Sequence, residues 1–321
     1  MATLTDVAKR AVVSKMTVSR VLNHPDKVSP ELRDLVYRAM KELNYIPNMA
    51  ARALAQKRTQ VIKMLILEEM DTTEPYYMNL LSGIAIELDR HHYALQLVTR
   101  NSHEVGTCDG VIVTGMRAED YSMIIDQIEQ PVVLFGQNDK GYDFIDVDNE
   151  RGTRLATRHL IDRGYQRILF FGIDLDEPFM QTRFQGYLKT ISGSGLVPEV
   201  FKMKNSSHCA QAQANELIKS AESSHRLAFV CASDRLAVGV VRSAQQNDLL
   251  IPEQIAVTGF DGVFLDRISS PKLTTLRQPV IEMGEACAQM LLQKIEINGG
   301  RVGSRIFQPE LIVRGSTVKS R

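Results

Sequence analysis

The sequence predicts two unlike parts: a small all-α headpiece with helix-turn-helix spacing, then an α/β body built as two doubly wound parallel-sheet subdomains. Three observations carry this. Charge is divided between the ends of the chain. The first sixty residues punctuate three short helices. From Val61 onward, short apolar runs alternate with helical segments.

The charge division is hidden by the total. The 321 residues hold 38 Lys+Arg and 38 Asp+Glu, a formal charge of zero. Residues 1–60 hold eleven basic and five acidic side chains, a balance of +6, which leaves 27 against 33, or −6, for the other 261. An average near neutrality therefore does not exclude nucleic acid, because a basic end can face an acidic body. Membrane spans, a secretory leader and a disulfide framework are not predicted: no apolar run is long enough, residues 1–10 lack a leader pattern, and Cys108, Cys209, Cys231 and Cys287 are scattered. A cytoplasmic location is expected, with no cofactor and no metal. There is no GxxxxGK[ST], no HExxH, and no catalytic constellation, so an enzyme is not expected.

In the headpiece, Leu4, Val7, Ala8 and Ala11 share one helical face behind Thr3 or Thr5 as cap. Val12-Val13-Ser14 makes the turn. Ser14 caps a second helix over Lys15–Leu22, and Asn23-His24-Pro25-Asp26 ends it. Ser29-Pro30-Glu31 is cap, first-turn proline and first-turn acid for a third helix to about Leu43, burying Leu32, Leu35 or Val36, Met40 and Leu43. A small solvated three-helix cap fits this spacing as well as a helix-turn-helix does. In the latter, the second helix enters a major groove. Lys15, Met16 and Arg20 then face base edges, while Thr17 and Ser19 suit phosphate or bond within the helix.

The strings Leu4-Thr5-Asp6-Val7-Ala8, Ser14-x-x-Thr17-Val18-Ser19-Arg20-Val21-Leu22-Asn23 and Leu43-Asn44-Tyr45-Ile46-Pro47-Asn48 closely resemble the DNA-binding headpiece of the LacI/GalR family of transcription regulators. The resemblance implies DNA contacts from Thr5, Lys15, Met16, Thr17, Ser19, Arg20, Asn23, Tyr45, Asn48, Ala51 and Leu54. Asn48–Gln56 is the expected hinge helix, too short to be stable alone, with Leu54 wedging the minor groove on DNA. The alternative is an unstructured linker. Val12 departs from the family, which favours glycine in this turn, so the turn is expected to adjust.

Expected domains are 1–47 for DNA binding, 48–60 for hinge and linker, and 61–321 for effector binding and dimerisation. The body resembles the family's periplasmic-binding-protein-like fold. Its subdomains are placed at about 61–150 plus 280–307 and about 151–277 plus 308–321. Strands are predicted at 61–67, 94–99, 110–114, 132–135, 144–147, 168–172, 227–231 and 255–259. Only about ten residues separate Thr99 from Gly110, where the family places a helix. Ten extended residues reach roughly 33 Å, so a helix-free crossover with a thinner sheet face is expected; a rearranged strand order is the alternative.

Ligands in such sheets bind beyond the carboxyl ends of the strands. By resemblance, Arg183 in Arg183-Phe184-Gln185-Gly186-Tyr187, Ser233, Asp234, Asp261 and Gln278 line an effector cleft, joined by Phe135, Tyr76 and Tyr77. A planar donor opposite an Asp acceptor suits a polyhydroxyl ligand; a structural Arg183–Asp261 ion pair is the plainer reading. Val280 replaces a frequent aromatic platform. The family reading is a sequence-specific repressor of carbohydrate-utilisation genes. It is expected as a homodimer on a palindromic double-stranded DNA operator, controlled by a small effector, a sugar. A non-regulatory sugar-binding protein on the same body is the alternative, against which the basic headpiece argues.

Overall fold

The computed structural model describes residues 2–23, 27–45, 58–68, 75–102, 105–220 and 226–319. By its internal contacts the chain divides into residues 1–59 and 60–321.

The first unit holds α1 (Leu4–Arg10), α2 (Lys15–Asn23) and α3 (Pro30–Glu42). Thr3 caps α1 reciprocally with Asp6, Ser14 Oγ accepts the Thr17 amide at 3.0 Å, and Ser29 caps α3. Val7, Ala8, Ala11, Val18, Val21, Val36 and Ala39 form the core. Leu35 is exposed, and Val36 takes the interior position: of the two neighbours only one can lie on the inward stripe. Val12 adopts φ 53° and is 90% exposed. The turn therefore keeps the left-handed geometry that glycine favours; the side chain reaches solvent instead of the backbone changing.

The body carries two six-stranded sheets. The first contains β1 (Val61–Ile66), β2 (Ala94–Thr99), β3 (Gly110–Thr114), β4 (Val132–Phe135), β5 (Phe144–Val147) and β11 (Arg305–Phe307), in the order β11-β5-β4-β3-β1-β2. The second contains β6 (Arg167–Ile173), β7 (Glu199–Met203), β8 (Leu227–Cys231), β9 (Ile255–Asp261), β10 (Thr274–Arg277) and β12 (Glu310–Ile312), in the order β12-β10-β9-β8-β6-β7. The pairings are parallel apart from β10 with β12. β7, β10, β11 and β12 are additions to the sequence expectation. They are short, partly polar strands whose pairing partners lie at sheet positions no local pattern encodes.

The helices are α4 (Pro75–Arg90), α5 (Ala118–Met123), α6 (Asn149–Asp162), α7 (Pro178–Ser192), α8 (Ser207–Ser220), α9 (Asp234–Gln246), α10 (Leu265–Ile268) and α11 (Val280–Glu296). α11 crosses back to pack on α4, β3, β4 and β5. The approach of α4 to α11 is close enough that a Cβ on Gly83 would meet the Ile281 carbonyl at 2.1 Å; Gly186 in α7 stands likewise 2.3 Å from the Glu150 carbonyl in α6.

Among the described residues, the step from β2 to β3 holds only a 3₁₀ turn, Arg100–Ser102. The strand order is not rearranged. Three contacts replace a helix. Arg100 holds Asp120 in a bidentate pair at 2.6 and 2.8 Å, Lys63 Nζ rises from the sheet to the Val105 carbonyl, and Asp109 accepts the Gln60 amide at 3.0 Å. β2 is correspondingly bare, with Leu97 45% exposed.

Candidate functional site

The strand ends of both sheets converge on a cavity of about 160 Å³ between the halves of the body. The first half supplies Glu68 after β1, Met116 after β3, Phe135 in β4, and Tyr76 and Tyr77 at the start of α4. The second supplies Glu177, Phe179 and Arg183 around α7, Ser233 after β8 and Asp261 at the end of β9. Asp146 and Asn149 lie where the chain first crosses between halves, and Gln278 where it crosses after β10.

Arg183 is the buried cation of the site. Its Nε donates to Asn149 Oδ1 at 2.8 Å and its Nη1 to the Ala232 carbonyl at 2.6 Å. Its guanidinium lies over the Phe260 ring at 3.6 Å. Burial depresses its pKa, opposed by the carboxylates of Asp261 and Asp146. The Asp261 side chain accepts from Gln278 Nε2 at 2.9 Å, and its backbone is held at φ 121°, leading into Gly262. Asp146 accepts from the amides of Gln137 and Val147, and burial still pushes its pKa up.

Tyr76 and Tyr77 meet edge to face at 5.7 Å. Burial raises both phenols far above their ordinary value, so they act as neutral hydroxyls. The Tyr77 hydroxyl bonds Glu68. Glu177 is pushed up to about 7, first by burial and then by Glu68 across the cleft.

Of the sequence candidates, Tyr76, Tyr77, Phe135, Arg183, Ser233, Asp261 and Gln278 line the cavity. Asp234 does not: it is buried behind the wall, its Oδ1 accepting from Thr275 Oγ1 at 2.6 Å and its Oδ2 from the Gly262 amide at 2.9 Å. It shapes the Asp261–Gly262 turn. Ser233 Oγ caps α9 and donates to Asn205 Oδ1 at 2.7 Å. Glu68 closely follows a strand, as β1 ends at Ile66, and belongs to no motif. Glu177, Asn149, Phe179 and Met116 carried no motif; their position just after a strand, or where the halves meet, was the available signal.

In the headpiece, Thr5, Lys15, Met16 and Arg20 are exposed, Met16 at 72%. Thr17 is half-buried, with its hydroxyl 2.8 Å from Ser14 Oγ, within the helix cap. Ser19 is half-buried, Asn23 closes α2, and Tyr45 packs on the three-helix core. Asn48, Ala51 and Leu54 lie outside the described residues.

The pattern of the bacterial regulatory proteins of the lacI family matches residues 3–48, and that of a periplasmic binding protein-like domain matches residues 157–317. An uncharacterized HTH-type transcriptional regulator of Bacillus subtilis, YvdE, is 63% identical over 99% of this chain and 100% of its own. The HTH-type transcriptional repressor PurR of Pasteurella multocida is 29% identical, with both chains fully covered. The solved complex of the transcriptional regulator CelR with cellobiose superposes with a TM-score of 0.74 at 28% identity, over 98% of this chain and 100% of that one. A charge-divided chain with this headpiece and this two-sheet body thus belongs to the LacI family of transcriptional regulators.

Proposed function

We propose that the protein is a cytoplasmic, sugar-responsive repressor that acts as a homodimer on a palindromic operator, its headpiece reading bases with Lys15, Met16 and Arg20. The observation that carries the effector class is the charge of the cavity. Among the described residues, Glu68, Asp146, Glu177 and Asp261 surround one arginine, and neither lysine nor histidine lines the cavity. Such a wall repels phosphates and carboxylates, while its acceptors, the Arg183 donors and the phenols suit hydroxyls. Tyr76, Tyr77, Phe135 and Phe179 offer rings to the CH faces of a sugar. The cellobiose complex of CelR supports the same reading.

Effector control follows if the sugar binds the closed body more tightly than the open one and closure alters the hinge segment at 48–60. Thermal shift and operator gel shift with cellobiose, maltose, glucose 6-phosphate and adenine test the proposal. Stabilisation and a changed operator affinity with a neutral sugar are expected. A response confined to the phosphorylated sugar or the base overturns the neutral-sugar reading.

A further inference from the structure

Glu177 meets the central cavity from the N-cap position of α7, where a short side chain usually accepts from the helix's own amides. It makes no such bond. Among the described residues its carboxyl has no hydrogen-bond partner at all, although the residue is only 7% exposed. The sealed side-chain atoms without a partner, among those residues, are Gln60 Oε1 and Asp266 Oδ1. The bare Glu177 carboxyl is therefore not sealed in the protein; its remaining surface lies on the cavity. A buried polar group in that position is costly until something enters to bond it.

The neighbours of Glu177 fix its charge. From the first half, Glu68 after β1 acts on it most strongly, Asp120 in α5 adds to this, and Arg117 and Arg100 oppose it. Arg100 is already held by Asp120 through two nitrogens. Neither arginine makes an ion pair with Glu177 among the described residues. Tyr77 at the start of α4 is a neutral phenol, and it gives its hydrogen to Glu68. Thr114 Oγ1 also donates to Glu68, at 3.4 Å. Of the two carboxyls, Glu68 has donors and Glu177 has none, so the proton settles on Glu177. Burial and Glu68 together push it up to about 7.

We propose that Glu177 determines effector specificity as a carboxylic acid: a ligand hydroxyl enters between it and Glu68, accepting a hydrogen bond from Glu177 and donating one to the Glu68 carboxylate. This rests on the neutral-sugar reading of the cavity and narrows it. A hydroxyl both donates and accepts, as the two walls require. An ammonium only donates and needs both carboxyls ionised; an ether oxygen only accepts and leaves Glu68 unserved. Amino and methoxy groups are thus refused at this position. Because Glu68 and Glu177 belong to opposite halves, the same hydroxyl ties the halves together, which favours the closed body.

The test is calorimetric titration of the full chain with cellobiose and with maltose at about pH 6, 7 and 8.5. Expected, for either sugar that binds, is an affinity that falls at least fivefold from the middle to the highest pH, because the complex must keep a proton that the free chain loses above about 7. Glu177→Gln keeps a donor at that atom but cannot titrate, and should remove the fall. Glu177→Ala should bind at least tenfold more weakly at the lowest pH. If Glu177→Ala fails to fold, the wild-type profile and Glu177→Gln decide. An affinity that rises with pH, a flat profile, or a fall that persists in Glu177→Gln overturns the proposal and leaves the neutral-sugar reading standing. Binding of neither sugar at any pH overturns both.

Discussion

The two halves of the body share a strand order but are clothed differently. In the second, the step from β7 to β8 takes 23 residues and includes α8; in the first, the step from β2 to β3 takes ten and includes one 3₁₀ turn. Beneath the long step, Phe171, Phe201 and Phe229 pack edge to face at 5.0 and 5.9 Å. Beneath the short one, a lysine stands on β1, the strand next to the edge, buried along its stem and bonded at its tip to the passing backbone. Leu65, Val111, Val113 and Leu134 make a small core on that side, separate from the main one. A sheet face can thus lose its helix when a polar tether replaces the packing, at the cost of an exposed edge strand.

The division of labour in the central cavity follows the same line. The second half fixes the guanidinium; the first brings phenols and Glu68. Arg183→Ala is expected to make the largest difference: effector affinity falls at least a hundredfold, about 3 kcal/mol or more, while gel shift shows operator binding intact. An unchanged effector response would mean that the second half does not hold the ligand. The helix–helix seams come next. Gly186→Ala in the second half and Gly83→Ala in the first each drive a Cβ into backbone, for about 2–3 kcal/mol of lost stability in urea melts. A much smaller loss at Gly83 would show the first half to be the more yielding.

Glu177 tests where the halves face each other. Its carboxyl is raised from 4.5 to about 7. Between those values the folded chain keeps a proton that the unfolded chain has lost, so stability falls as pH rises through that window. The expected loss is on the order of 1–3 kcal/mol. Glu177→Gln should flatten the slope by about one proton; an unchanged slope would mean that Glu68 and burial do not act on it. Lys63→Met should have the smallest effect, about 1–2 kcal/mol, with faster amide exchange confined to residues 105–109. Exchange spread evenly over the sheet would deny the tether.

Most of the regular architecture was legible because central strands buried on both faces read as unbroken apolar runs, as in Val132–Phe135 and Leu227–Cys231. β10, β11 and β12 were not, since three or four residues such as Arg305–Phe307 become a strand only by pairing with β5 across the chain. In the central cavity, the family motif brought out Arg183 and Asp261. The motif could not separate Asp261, which faces the cavity, from Asp234, which braces the turn behind it; only the hydrogen bonds do that. Asn149 was hidden because its use depends on two crossovers and α7 meeting.

The interleaving of the chain carries a consequence for synthesis. The first sheet lacks its last strand until Phe307 and its covering helix until Glu296, about 160 residues after β5 leaves the ribosome. At typical elongation rates of about 5–20 residues per second, that is roughly ten to thirty seconds. Throughout it, the apolar face destined for α11 has no native cover, while most of the second half is being made between. A nascent chain of this protein should therefore call on chaperones through its first half, and a ribosome stalled once β10 has cleared the exit tunnel and α11 has not should yield β6–β10 already protected from protease while β1–β5 are not.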